Sequence, residues 1–281
     1  MGIVEWATSP WGQDVPIHIS FVLIWVAAIG GLLFLIGHAI WIRTAKPDEY
    51  ADSTPASVAA RIPEKVQRHS LAARLFHWIM ALAMLTLLFT AFLPKVGVQF
   101  AWVTYHWIAG LVLTASILYH IIHASFWLDF WSIWPDKQDR EDAMHRLKRA
   151  MGQSAPPPRR FAKYPLENKM YHGVIVLAGL AVMLTGVFMM FRVRTPFFTR
   201  NPYLFGDMTW GLMYVLHGLA GVGLIALIMV HIYFAVRPEK LVITKSMIFG
   251  TLDREHYLEH HDPKRWAPEG VSQQQAEAAG D

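Results

Sequence analysis

Cysteine is absent from the 281-residue sequence. Its absence excludes a disulfide, a thioether-attached haem of the c type and a cysteine-ligated iron–sulfur cluster within this chain. The sequence also lacks a soluble catalytic domain and any constellation of nucleophile, base and orienting residue, which argues against chemistry other than electron transfer. Any redox chemistry here therefore depends on cofactors that need no cysteine.

Long apolar segments dominate the chain instead. Hydrophobic residues make up 54% of it, with 12 tryptophans, a composition far from that of a soluble enzyme. Runs long enough to cross about 30 Å of hydrocarbon as helices are Ile19–Ile42, Leu75–Leu93, Val103–Trp127, Met170–Phe191 and Trp210–Val236. We expect an integral membrane protein of the all-α class, a bundle of five transmembrane helices surrounded by membrane lipids.

Basic residues are distributed unevenly around these runs. Lys and Arg number 6, 9 and 6 in segments 43–74, 128–169 and 237–281, but 0, 1 and 3 in the alternate segments. The positive-inside rule then predicts a bacterial inner-membrane protein with its N-terminus outside and its C-terminus in the cytoplasm. The net charge of +4 reflects this topology, so we expect no nucleic-acid partner. Because no basic residue precedes the first run, we expect it to remain as an anchor.

His217 and His231 are the most informative pair of residues. They lie 14 residues apart in the last apolar run, which places both imidazoles on one helix face about 21 Å apart along the axis. A neutral imidazole is an axial haem ligand that needs no compensating charge in hydrocarbon. The pair therefore predicts two stacked haem centres, and hydrogen bonding to neighbouring helices is the alternative.

Other histidines at matching depths supply partners for this pair. His106, near the outer end of the third run, lies at the level of His217. At the inner level, His120 lies 14 residues after His106 and repeats the spacing, whereas His77 opens the second run. Spacing alone favours His120 as the partner of His231, and a solution that uses His77 stays open.

A glycine follows two of these histidines by four residues. Gly110 follows His106, and Gly221 follows His217. A glycine one turn from a ligand leaves room for a flat macrocycle close to the backbone. We expect both glycines to pack against haem, and close packing between helices is the alternative.

Several short motifs follow one another along residues 70–268. They are Arg74-Leu75-Phe76-His77-Trp78, His106 with Gly110, His217, Val230-His231-Ile232-Tyr233, Ser246-Met247-Ile248-Phe249-Gly250, and His260-His261-Asp262-Pro263 with Trp266. In this order and spacing the chain resembles the formate dehydrogenase gamma subunit family of di-haem cytochrome b anchors. That family is related to the cytochrome b subunits of thiosulfate reductases and nickel–iron hydrogenases.

The resemblance implies a ligand set. It pairs His77 with His231 on the iron of an inner haem b and His106 with His217 on the iron of an outer haem b. His120, which spacing favours, stays the alternative inner ligand. It also implies a four-helix di-haem core preceded here by one extra N-terminal helix.

The same resemblance implies a quinone site. It lies at the cytoplasmic start of the third helix shared with the family, which is the run Met170–Phe191 here. The segment Lys163–Lys169 retains a Lys-Tyr opening and an amide at Asn168, but has Pro165 where family members often have Asn. Asn168 is a candidate contact for menaquinone or ubiquinone, and His172, one turn later, is either a further contact or an interfacial histidine. We therefore expect a quinone-reactive subunit of a respiratory oxidoreductase that is not catalytic alone. It would carry electrons between the quinone pool and an iron–sulfur subunit, which is joined to a molybdenum or tungsten pterin subunit. A stand-alone transmembrane haem b reductase and a hydrogenase cytochrome b subunit are the alternatives.

The chain divides on this basis into three parts. Residues 1–69 hold the extracytoplasmic N-terminus, the extra helix and a cytoplasmic connector, residues 70–268 the cytochrome b core with its C-terminal segment, and residues 269–281 a disordered tail. Within the core we expect a surface helix over Asp136–Arg149. His256, His260 and His261 suggest either a metal cluster or a polar tail, and we expect the polar tail.

Overall fold

The computed structural model describes residues 2–44, 50 and 53–268, and helix dominates them. The predicted tail at 269–281 lies outside these residues. The described helices are α1 (Val22–Trp41), α2 (Ala56–Ala59), α3 (Leu71–Phe92), α4 (Trp102–Trp127), α5 (Lys137–Ala150), α6 (Leu166–Met189), α7 (Asp207–Val236), α8 (Leu241–Phe249) and α9 (Arg254–His260). Short 3-10 turns occur at Leu93–Val96, Phe130–Ile133, Met190–Arg192 and Pro238–Lys240. The described strands are β1 (Val4–Thr8), β2 (Asp14–Ile19), β3 (Lys65–Gln67) and β4 (Thr251–Asp253).

Five of the described helices are long and apolar enough to cross a membrane, which confirms the predicted class. With their terminal 3-10 turns the spans are Val22–Trp41, Leu71–Val96, Trp102–Trp127, Leu166–Arg192 and Asp207–Val236. An α-helix satisfies its backbone polar groups internally, so such a segment can lie in hydrocarbon without exposing them. Apolar side chains also cover the outward faces, as Leu177 and Phe89 do.

The chain forms two compact units. The first, here called the bundle unit, comprises residues 1–40, 76–123 and 174–233; the second, the loop unit, comprises residues 41–75, 124–173 and the chain from 234 onward.

The buried centre of the bundle unit comes from four of the spans. Its members are Ala83, Met84, Leu113, Val182 and Leu224. They lie on α3, α4, α6 and α7, so α1 contributes nothing to this cluster. Instead, α1 approaches α7 at Gly31, where an added Cβ would lie 3.3 Å from the Met229 thioether. The extra helix thus packs on the outside of a four-helix core.

The first residues of the chain form an antiparallel hairpin, which the sequence analysis missed. Strands β1 and β2 pair from Val4 opposite Ile19 to Thr8 opposite Asp14. The hairpin lies against α7, because a Cβ on Gly211 would stand 2.0 Å from the Pro16 carbonyl oxygen. Only glycine at this position lets the two backbones approach so closely.

The loop unit has its own small core. Strands β3 and β4 pair antiparallel, with Val66 opposite Leu252, and Ile62, Val66 and Tyr257 are fully buried beside them. The expectation of a polar tail is therefore wrong for residues 251–266, because Tyr257 anchors α9 into this core. The connector at 44–73 likewise supplies a strand and a short helix.

The predicted surface helix is confirmed as α5. Asp136 and Asp139 form a reciprocal capping box at its start, each carboxylate accepting the other residue's backbone N–H at 2.9 Å. Asp139 also accepts a hydrogen bond of 2.6 Å from Lys169, whose side chain is 2% exposed. This buried ion pair ties α5 to the first turn of α6.

Candidate functional site

Two histidine pairs occur inside the bundle unit. His106 on α4 and His217 on α7 have ring centres 6.2 Å apart with planes inclined at 65°. His77 on α3 and His231 on α7 also have ring centres 6.2 Å apart, with planes at 53°. Because α7 runs unbroken from Asp207 to Val236, it holds one member of each pair, 14 residues apart.

The separation of the rings fits a metal ion between them. A metal–imidazole nitrogen bond measures about 2.0 Å and the nitrogen lies about 1.1 Å from the ring centre, so two rings on opposite sides of one ion have centres about 6.2 Å apart. Both pairs have this separation. The side chains present therefore fit two bis-imidazole haem centres, the first held by His106 and His217, the second by His77 and His231.

Threonine hydroxyls orient the first pair. Thr90 Oγ1 lies 2.8 Å from His106 Nδ1, and the hydroxyl also donates to the Thr86 carbonyl oxygen at 2.7 Å. Since a hydroxyl has one proton to donate, the imidazole must donate its Nδ1–H to the threonine oxygen. The lone pair of His106 is then on Nε2, the nitrogen left for a metal ion.

The same arrangement occurs at His217. Its Nδ1 lies 2.9 Å from Thr185 Oγ1, and this hydroxyl donates to the Ala181 carbonyl oxygen at 2.5 Å. Neither threonine was predicted from the sequence, because a threonine in a transmembrane helix commonly bonds only its own backbone. Their contact with histidine depends on the rotation of neighbouring helices.

Of the two candidate partners of His231, the structure places His77 beside it. His120 instead stacks on Phe76, with ring centres 4.3 Å apart and planes 2° from parallel. One turn further along α4, His123 stacks on Tyr119 at 5.4 Å.

The predicted glycines leave space around the pairs. Among the residues that the structure describes, a Cβ added to Gly221 would meet no atom of another element within 4 Å, and one on Gly110 would reach Leu87 at 4.0 Å. Gly186 on α6, which the sequence analysis missed, is tighter, because its Cβ would lie 3.3 Å from His217 Cε1. A larger side chain at position 186 would displace the His217 imidazole, so glycine is needed there for the observed ring position.

The predicted quinone contacts lie in the loop unit, on the first turns of α6. Asn168 is exposed and His172 is half-buried. They are at positions i and i+4, so both lie on one side of the helix.

A buried cationic side chain, Arg68, lies near the segment Lys163–Lys169 and was not predicted from the sequence. Arg68 is 4% exposed, and its guanidinium lies 5.5 Å from the centre of the Tyr164 ring. Its Nε and Nη1 make no hydrogen bond within the described residues, and burial lowers the pKa of Arg68. Burial, reinforced by Arg68, also lowers the pKa of Lys163. Unused donors in a buried position favour a ligand that accepts hydrogen bonds.

Apolar helices that hold imidazoles in pairs at a metal-bridging separation define a membrane cytochrome b. Comparison with known families agrees, since residues 68–250 match the family of prokaryotic cytochrome b561. The match covers more than half of the chain, and the chain belongs to this family. It is therefore a multi-pass bacterial membrane protein that binds haem b and transfers electrons. No curated protein matches the chain significantly.

Proposed function

We propose that this chain is the quinone-reactive di-haem cytochrome b subunit of a respiratory oxidoreductase. In this proposal His106 with His217, and His77 with His231, are the axial ligands of two b haems. The observation that carries it is the separation of 6.2 Å within both pairs. One haem would be expected from one such pair, and two pairs that each take one member from α7 support two centres at different depths.

The two pairs suit electron transfer rather than catalysis at the iron. A haem held by two imidazoles has no open axial position, so it passes electrons without binding oxygen or substrate. The contribution of the chain is to fix positions: α7 sets the two centres about 21 Å apart along its axis. Thr90 and Thr185 hold the tautomers of His106 and His217, so that no proton competes for the coordinating nitrogens.

The loop unit supports quinone binding near the start of α6. A quinone carbonyl accepts hydrogen bonds, and suitable donors here are the Asn168 amide, His172 and the unused Nε–H and Nη1–H of Arg68. Quinone reduction also needs protons. We place this site on the cytoplasmic side, since 21 of the 25 basic residues lie in segments of that side.

The partners belong to the proposal as well. The chain has no cysteine, so iron–sulfur clusters must come from another subunit. We propose an iron–sulfur subunit that exchanges electrons with the His106/His217 haem at the outer face, joined to a molybdenum or tungsten pterin subunit of the formate dehydrogenase type.

Haem content and co-purification test this function together. The protein is purified in mild detergent, its haem b is measured per chain, and its companion polypeptides are identified. We expect two haems per chain, an iron–sulfur companion, and reduction of both haems by a quinol analogue. Fewer than two haems would contradict the proposal. A protein that purifies alone and oxidises quinol without a companion would instead favour a stand-alone transmembrane reductase.

A further inference from the structure

Three potential metal ligands come together on α9, outside the membrane spans. His256, Glu259 and His260 offer ligand atoms that all lie within 4.8 Å of one another. They occupy positions i, i+3 and i+4 of one helix, so they share a face. The rings of His256 and His260 are stacked, with centres 4.3 Å apart.

The helix that carries these residues is held firmly. Tyr257, between the first two ligands in sequence, is fully buried, and its hydroxyl donates to the Trp266 carbonyl oxygen. Just before α9, strand β4 pairs with β3. The first residue, Arg254, donates its backbone N–H to the Glu64 carbonyl at 3.0 Å. The ligand positions are therefore set by the fold, and only side-chain rotamers need to adjust.

The hydrogen bonds of His260 leave one nitrogen available. Its Nδ1 lies 3.2 Å from the His256 carbonyl oxygen, which can only accept, so Nδ1 carries the proton and Nε2 has a lone pair. Nitrogens on one tetrahedral ion lie about 3.3 Å apart when the metal bonds are about 2.0 Å long. The ligand atoms lie within 4.8 Å of one another, so closing the cluster onto an ion needs them to approach by roughly 1.5 Å or less.

We propose that His256, Glu259 and His260 bind a divalent transition-metal ion, with Zn²⁺ as the best match. Two imidazoles and one carboxylate are the ligand types that Zn²⁺ accepts, and hard ions such as Mg²⁺ prefer oxygen ligands alone. The fourth position is open to water or to a partner's side chain. Of the other charged groups that act on His256, Arg68 and Lys240 oppose a bound cation, and Asp253 favours one.

Direct binding of Zn²⁺ to the haem-loaded, full-length protein tests the proposal. The protein is prepared with an affinity tag free of histidine, treated with a chelator and titrated by calorimetry, with bound zinc counted by elemental analysis. We expect one tight site per chain. In a His256→Gln/His260→Gln variant this site is lost, and Glu259→Gln weakens it about tenfold or more.

Matched variants separate this site from the other histidines of the chain. His145→Gln, on α5, and Glu255→Gln, on α9 itself, should bind zinc as the wild type does. Zn²⁺ should also raise the melting temperature of the wild type with rising concentration and leave that of the double variant unchanged. Wild-type affinity in a double variant whose haem spectrum is normal would overturn the proposal, as would equal loss in the His145→Gln control.

Discussion

Thr185 Oγ1 lies 2.9 Å from His217 Nδ1, and its proton is directed to the Ala181 carbonyl. This contact, beside a hydrogen bond to the Val182 backbone, makes the imidazole a hydrogen-bond donor and therefore a more basic ligand. A more basic ligand stabilises oxidised iron. The chain thus tunes the proposed His106/His217 haem through residues that do not touch the metal.

Replacing Thr185 by valine removes this hydrogen bond at nearly constant volume. We expect haem to be retained and the midpoint potential of one haem to rise by tens of millivolts, on the order of 40 mV for a hydrogen bond of about 1 kcal/mol. Potentiometric titration of the optical spectrum measures the shift. Thr185→Ser should restore the wild-type potential.

Thr114 provides the control for that experiment. Its hydroxyl donates to the Gly110 carbonyl at 2.8 Å, so Thr114→Val removes a bond between side chain and backbone that involves none of the four proposed ligands. An equal shift in Thr114→Val and Thr185→Val would show that the effect is structural.

Substitution of His77 and His120 distinguishes the two candidate inner ligands. His77→Ala should lower the haem content from two to about one per chain, because the His77 ring lies beside that of His231. His120→Ala should keep both haems, since His120 stacks on Phe76. The haem content per chain of the two purified variants is the measurement. Loss of one haem in His120→Ala but not in His77→Ala would assign the ligand to His120.

The glycines beside the ligands report on the space around them. Among the described residues, and apart from the adjacent backbone of α7 itself, no atom lies within 4 Å of an added Cβ at Gly221 or at Gly223. We expect Gly221→Ala to lower haem content and Gly223→Ala to leave it unchanged, because only a macrocycle next to Gly221 would collide with the methyl group. Equal haem content in the two variants would remove Gly221 from the haem pocket.

Acid should loosen the segment around α9. Burial, followed by the charge of Arg68, lowers the pKa of His261 to about 2, and burial with the neighbouring His260 lowers that of His256 to about 4. Below about pH 6.5 these imidazoles bind protons in the unfolded segment but stay neutral in the folded one. The free energy of unfolding therefore falls as pH falls. For the fully buried His261 alone, the loss at pH 5.5 is about 1.4 kcal/mol.

Hydrogen exchange of residues 251–266 at pH 7.5 and 5.5, corrected for intrinsic rates, measures this loss of protection. His261→Asn keeps a donor for the Ala162 carbonyl, which accepts from His261 Nδ1 at 2.7 Å, but cannot take up the proton. Its segment should depend less on pH than that of the wild type. Identical pH dependence in both proteins would rule out His261 as the source.

The spans were predictable because hydrocarbon allows few solutions. A run of about 20 apolar residues such as Val103–Trp127 has to form a helix in lipid, and α4 begins within one residue of the expected position. The spacing of His217 and His231 likewise depends on helix geometry alone. Which histidine lies opposite His231 depends on how neighbouring helices are rotated, and no periodicity of one helix contains that information.

The structure outside the spans could not be predicted as well from the sequence. The core of the loop unit joins Ile62 and Val66 to Tyr257, almost 200 residues later, and three separate apolar residues form no periodic pattern. The N-terminal hairpin was missed for a related reason, since its strands are mostly exposed and one contains Pro16. Gly186 and the threonines acquire their roles only through contact with helices distant in sequence.

A density map of the purified protein at side-chain resolution tests the central claim most directly. The account predicts a planar macrocycle between His106 and His217 and a second between His77 and His231, each with iron bonded to both rings. Imidazoles bonded only to protein groups, with no macrocycle between the helices, would contradict it.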